Sequence, residues 1–173
     1  MIAYCAIVYH RDSNHSSIHY NRQSEKVREL SVMPAAPASL TIDLALCEQI
    51  IDHARRGYPY EVCGLVGGRN WQAELVTSVP NASLTPHNTY EMERQAMVDA
   101  IIAFQRQGRE VVAIYHSHPD GDAVPSELDI AQATWSDAIY LIVGLNEAEE
   151  PDFRAWTIRN GQAEQATLIA PDE

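Results

Sequence analysis

The apolar run Val111-Val112-Ala113-Ile114-Tyr115 leads straight into His116-Ser117-His118-Pro119, and Ser126-Glu127-Leu128-Asp129 follows after a short polar loop. A run of that length and composition reads as a buried strand. Residues i and i+2 of a strand point to the same side. His116 and His118 therefore leave the strand end facing one way, close enough to share an ion. Ser126 has the chemistry of a helix N-cap, with an acid three residues on. A helix returning from the loop can bring Asp129 against the two imidazoles. Two imidazoles, one carboxylate and an open fourth position make up a catalytic zinc site. Taken singly, each residue has a plainer reading: Ser126 as a cap, Asp129 as a first-turn acid favoured by the helix dipole. The combination at this spacing argues for metal. Asp120 and Asp122 are further candidate ligands, although their Gly- and Pro-containing loop favours turn roles.

The rest of the chain supplies elements to carry this stretch. Ile42, Leu44, Leu46, Ile50 and Ile51 recur at helical spacing, which predicts a helix over 42–56 with Thr41 as cap and Gly57 as stop. Residues 61–68 read as a strand apolar on both faces, hence central. Residues 67–70 read as a turn into a hairpin partner over 71–79, and 80–90 as a loop. Met92, Ala96, Met97, Ala100, Ile101 and Phe104 share one stripe and predict a helix over 91–108, ended by Gly108. A short helix over 126–134, a fully apolar strand over 139–144, and amphipathic strands over 153–159 and 162–169 around Asn160-Gly161 complete the series. The expected fold class is α/β, one mixed sheet with flanking helices.

Residues 1–33 differ from the remainder. Residues 1–9 are apolar, but no small-residue cleavage site follows, so they do not read as a signal peptide. The segment over 10–31 is polar and aperiodic, as in loops or disorder, and holds Lys26, the one lysine of the chain. The composition shift suggests a domain over 34–173 that begins near Met33-Pro34, with the upstream residues the product of a misplaced start codon. Intact mass of the native protein would test this. A chain of 173 residues otherwise suffices for one domain and one core.

The formal net charge of -12 offers no basic footprint for nucleic acid. No basic amphipathic stretch suits a membrane surface, and no run is long enough to span a bilayer. Cys5, Cys47 and Cys63 form neither a disulfide framework nor a zinc ribbon. They fit a reducing cytoplasm.

The His-Ser-His-Pro run, the seven residues between His118 and Ser126 and the further step to Asp129 resemble the motif of the JAMM (MPN+) metalloproteases. That family also carries an upstream glutamate on an early strand, and Glu61-Val62-Cys63-Gly64-Leu65-Val66-Gly67-Gly68 is similar to that element. The resemblance covers about 40–168. It implies the JAMM/MPN (cytidine-deaminase-like) architecture, with one Zn2+ held by His116, His118 and Asp129. Glu61 would be the general acid/base and Ser126 a donor to the tetrahedral intermediate. Tyr90 would lie where the substrate groove begins.

The implied chemistry is zinc-assisted amide hydrolysis, in which a carboxylate takes the water proton and returns it to the leaving amine. Glu61 beside Val62, Leu65 and Val66 would be partly dry, which raises a carboxyl pKa. The Ser126 hydroxyl can cap with a lone pair and keep its proton for the oxyanion. Family members cleave after the Gly-Gly tail of ubiquitin-like proteins. The short span between Glu61 and His116 resembles the compact prokaryotic members, some of which act on ubiquitin-like sulfur carriers. Two alternatives remain: a non-catalytic MPN scaffold, which the intact motif opposes, and a metal hydrolase of a small molecule or cell-wall peptide, which a deep closed pocket would favour.

Overall fold

The computed structural model describes residues 37–146 and 151–171. The extension expected over 1–33 lies outside the described residues. The elements are β1 (Ser39–Thr41), α1 (Leu44–Gly57), β2 (Cys63–Arg69), β3 (Gln72–Val79), α2 (Arg94–Arg106), β4 (Glu110–His118), α3 (Glu127–Gln132), β5 (Ile139–Gly144), β6 (Asp152–Arg159) and β7 (Gln162–Ile169).

The sheet is mixed, in the order β1-β3-β2-β4-β5-β6-β7, and β1 closes it by pairing with both β3 and β7. The expected α/β class with flanking helices is borne out; the closure was not anticipated. It depends on three residues, Ser-Leu-Thr, too short to show a period. Thr41 is committed to that strand, where it pairs with Gln72 and Ile169. The cap of α1 therefore falls to Asp43, whose Oδ1 accepts from the Leu46 N–H at 2.7 Å.

The core lies on both faces of the sheet. Leu46, Ile50 and Ala54 of α1 pack with Val66, Leu141 and Val143, whereas Ala100 and Phe104 of α2 pack with Leu65, Ile114 and Tyr140. Alternate residues of β2 and β5 thus face opposite helices, which is why both strands are apolar throughout. The expected turn over 67–70 is shifted. β2 runs on to Arg69, and Asn70 and Trp71 make the turn with φ of 50° and 63°. Gly67 stays in the strand, where an added Cβ would stand 3.0 Å from the Phe104 ring. α2 starts at Arg94 rather than 91, because the Glu93 carboxylate caps it by accepting from the Gln95 and Ala96 N–H groups. Met92 instead bridges to Asn81.

β4 lies between β2, antiparallel, and β5, parallel. It runs three residues further than the apolar stretch, with His116 opposite Ile142 and His118 opposite Gly144. The two imidazoles therefore sit on the ladder itself. Among the described residues, no helix is long and apolar enough to cross a membrane.

Candidate metal centre

The alternation of β4 aims His116 and His118 together, and their Nε2 atoms lie 3.1 Å apart. Asp129, in the first turn of α3, meets both: Oδ1 is 3.3 Å from His116 Nε2 and Oδ2 is 3.3 Å from His118 Nε2. Ser126 delivers Asp129 there through a capping box. Its Oγ accepts from the Asp129 N–H at 3.1 Å, and its own N–H donates to Asp129 Oδ2 at 2.7 Å. The Ser126 hydroxyl proton, expected to be free, also goes to Asp129 Oδ2, at 2.6 Å. The carboxylate thereby gathers donors on one oxygen.

The tautomer of His118 follows from its surroundings. Its Nδ1 lies 2.9 Å from the Asp122 carbonyl, which can only accept, so Nδ1 carries the proton. Nε2 of the neutral ring is then a lone pair aimed at a carboxylate oxygen and a second imidazole, an arrangement that requires a proton or a cation at its centre. Asp122 thus serves through its backbone. Asn146 Nδ2 donates to the Asp122 side chain at 2.6 Å, and Trp156 Nε1 donates to the Ala123 carbonyl at 2.9 Å. Gly144 lets the loop approach: an added Cβ would stand 2.6 Å from the Gly121 oxygen and 2.7 Å from the Ala123 nitrogen.

The three donors fit a metal. Zinc holds ligands at about 2.0–2.1 Å, so donors at the corners of a tetrahedron stand about 3.3–3.4 Å apart. The two Nε2 atoms stand 3.1 Å apart, and Asp129 presents a different oxygen to each ring at 3.3 Å, Oδ1 to His116 and Oδ2 to His118. Electrostatics agree. Burial depresses the His116 pKa and outweighs the contribution of Asp129 that raises it. In His118, burial opposes the charge, but hydrogen bonds to Asp129 and Asp122 and the negative charges of Asp129 and Glu61 outweigh it and raise the pKa. Burial also opposes charge on Asp129, yet the two imidazoles and Ser126 hold its carboxyl well below the usual carboxylate range. The site keeps a carboxylate ionised at the cost of recruiting positive charge.

Glu61 was expected within a strand. It lies two residues before β2, because its N–H donates to the Pro86 carbonyl and its own carbonyl accepts from Asn81 Nδ2, so neither joins the ladder. The side chain is only 6% exposed. Burial pushes its pKa up to about 7; His118 pulls it back and Asp129 adds to the rise. A carboxyl poised there can exchange a proton near neutral pH. It stands outside the donor group of His116, His118 and Asp129 while remaining within electrostatic reach of it.

Tyr90 lies against the imidazole of His116, with ring centroids 4.5 Å apart and planes 22° from parallel. Aromatic pairs of this kind contribute about 0.5–1.5 kcal/mol beyond burial. Two residues escaped sequence reasoning. Ser117, on the opposite face of β4, accepts from the Val62 N–H and donates its own N–H to the Val62 carbonyl, which ties the strand end to the segment of Glu61. Asn81 holds the loop over 80–91. The Pro-Asn pair that opens that loop signalled a turn residue but not its reach to Glu61. Asp120 lies apart from the donors and meets the Tyr58 hydroxyl at 3.4 Å.

The closed mixed sheet and the His-Ser-His strand end answered by a capped aspartate define a domain of the JAB/MPN type. The family described as the prokaryotic homologs of the JAB domain matches residues 43–159, and the chain belongs to it. It is 36% identical over 117 residues to a desampylase of Haloferax volcanii, covering 64% of this chain and 82% of the relative. It is 36% identical over 123 residues to a probable TtuB-protein conjugate cleaving protease of Thermus thermophilus, covering 71% and 78%. A CysO-cysteine peptidase of Mycobacterium bovis is 30% identical over 124 residues, 70% and 84% of the two chains. Among solved structures, a Desulfitobacterium hafniense protein superposes with a TM-score of 0.70 at 28% identity, over 78% of this chain and 94% of that one. A JAB1/MPN domain protein of Archaeoglobus fulgidus shares the fold, with a TM-score of 0.54 at 21% identity over 77% and 100%. The resemblance to compact prokaryotic JAMM/MPN proteins is borne out.

Proposed function

We propose that the chain is a zinc metallopeptidase that hydrolyses an amide or isopeptide bond after the Gly-Gly tail of a ubiquitin-like or sulfur-carrier protein. The observation that carries this reading is the convergence of the His116, His118 and Asp129 donors beside a buried Glu61 whose pKa is raised to about 7. The names of the relatives support it: a desampylase, a probable TtuB-protein conjugate cleaving protease and a CysO-cysteine peptidase.

His116, His118 and Asp129 would hold the ion, which when bound supplies a Lewis acid and a water of lowered pKa. Glu61 takes the proton of the attacking water and gives it to the leaving amine; burial raises its pKa to about 7, so it can hold and release a proton near neutral pH. Ser126 serves the developing oxyanion. To do so its hydroxyl turns about Cβ–Oγ, away from Asp129 Oδ2 and toward the substrate. Tyr90 borders the site where the tail would enter. The free Cys47 and Cys63 suit a cytoplasmic location.

The test is a carrier protein extended beyond its Gly-Gly, incubated with zinc-loaded protein and read by mass spectrometry. Release of the extension by the wild type and not by Glu61→Gln is the expected result. Intact substrate with both proteins, across several carriers, would count against a peptidase and favour a scaffold.

A further inference from the structure

His118 has a hydrogen-bond anchor on its Nδ1, and among the described residues His116 has none. The Nδ1 of His116 is buried and meets no hydrogen-bond partner among the described residues. A ligating imidazole ordinarily gives that N–H to a carbonyl, a carboxylate or water, which fixes the ring. Without it, the ring depends on χ2, a torsion whose wells are broad. The face of His116 is occupied by the near-parallel ring of Tyr90.

We infer that Tyr90 is a positioning residue for His116, its stacked ring fixing the imidazole plane in which Nε2 meets the shared ion. Asn81 secures Tyr90 from both sides. Its Nδ2 donates to the carbonyl of Thr89 and its Oδ1 accepts from the N–H of Glu91, the two residues that flank Tyr90. The same amide donates to the Glu61 carbonyl. One asparagine therefore sets the stacking residue and the acid/base segment in register. This inference rests on the reading of His116 as a metal ligand.

The experiment is zinc affinity by chelator competition, with the visible absorption of the cobalt(II)-loaded protein as a second readout. Both are measured on the wild type, Tyr90→Phe and Tyr90→Leu. Tyr90→Phe keeps the ring and should match the wild type. Tyr90→Leu keeps apolar bulk without the ring and should bind zinc about tenfold more weakly, with an altered cobalt spectrum. Asn81→Asp keeps the acceptor and removes both donated bonds; it should shift affinity in the same direction, and it carries the test if Tyr90→Leu does not fold. Unchanged affinity and spectrum in these variants, or a raised KM as the sole effect of Tyr90→Leu, would overturn the inference and make Tyr90 a substrate contact. A wild type that takes up no zinc would defeat the metal-site reading itself, and this inference with it.

Discussion

Two loops meet at the end of β4, and they hold its histidines by different physics. The loop over 119–126 works through directed hydrogen bonds. The Asp122 carbonyl fixes one ring nitrogen of His118, and Ser126 orients Asp129 by a reciprocal cap. The loop over 80–91 works through shape and burial. It lays Tyr90 on His116, whose remaining nitrogen has no partner among the described residues, and the hydrogen bonds of Asn81 serve the loop rather than the imidazole. Damage on the first side should follow polarity and geometry; damage on the second should follow ring shape. The comparison also shows why ligand spacing alone is a poor guide to how a site is supported. Two histidines of one strand, two residues apart, need unrelated surroundings.

The largest effect is expected at Asp129, which meets both histidines and is oriented by the polar loop. Asp129→Ala removes a donor and the capping box together, and should abolish both stoichiometric zinc and turnover. Metal analysis and a cleavage assay check this; retention of zinc would break the account of the polar side. Glu61→Gln should keep zinc and lose about 10²–10⁴-fold in rate. It also has a stability consequence in the metal-free protein. Burial raises the folded pKa of Glu61 to about 7 from 4.5, so the native state binds the proton more tightly than the unfolded chain. Stability from this group is therefore present at low pH and lost as pH rises from 4.5 to 7. By linkage the loss is about 2–3 kcal/mol. Chemical denaturation at pH 4.5 and pH 8 should show Glu61→Gln gaining on the wild type by that amount.

Smaller effects sharpen the contrast. Gly144→Ala drives a methyl group into the backbone at Gly121 and Ala123. It should displace the Asp122 carbonyl and weaken zinc about tenfold, without touching a ligand. Chelator competition measures it. Ser126→Ala should cost about 1 kcal/mol of stability through the lost cap, and its effect on kcat should exceed its effect on metal affinity if the hydroxyl turns to the oxyanion. Denaturation midpoints and steady-state kinetics separate the two.

Much of the site was legible because its spacing rides on elementary periods. The two-residue step on a strand and the three-residue step of a cap put His116, His118, Ser126 and Asp129 together before any fold was known. The raised pKa of Glu61 followed from its apolar neighbours. What stayed illegible lies in long-range backbone pairing. β1 has three residues and no pattern, and closes the sheet only because β3 and β7 present free edges. Asp43 displaced Thr41 as cap for the same reason. Asn81, Ser117 and Gly144 act through backbone groups far away in sequence, and composition carries no trace of such partners. Tyr90 was noticed for its position by the groove; its stacking on His116 depends on how a loop folds back, which no periodicity encodes.

The most direct test is zinc content by plasma mass spectrometry, on the wild type and on His118→Ala. The donor geometry predicts close to one zinc per chain in the wild type and essentially none in the variant. A wild type without metal after zinc reconstitution, or a variant that retains it, would contradict the assignment of His116, His118 and Asp129 as a metal centre.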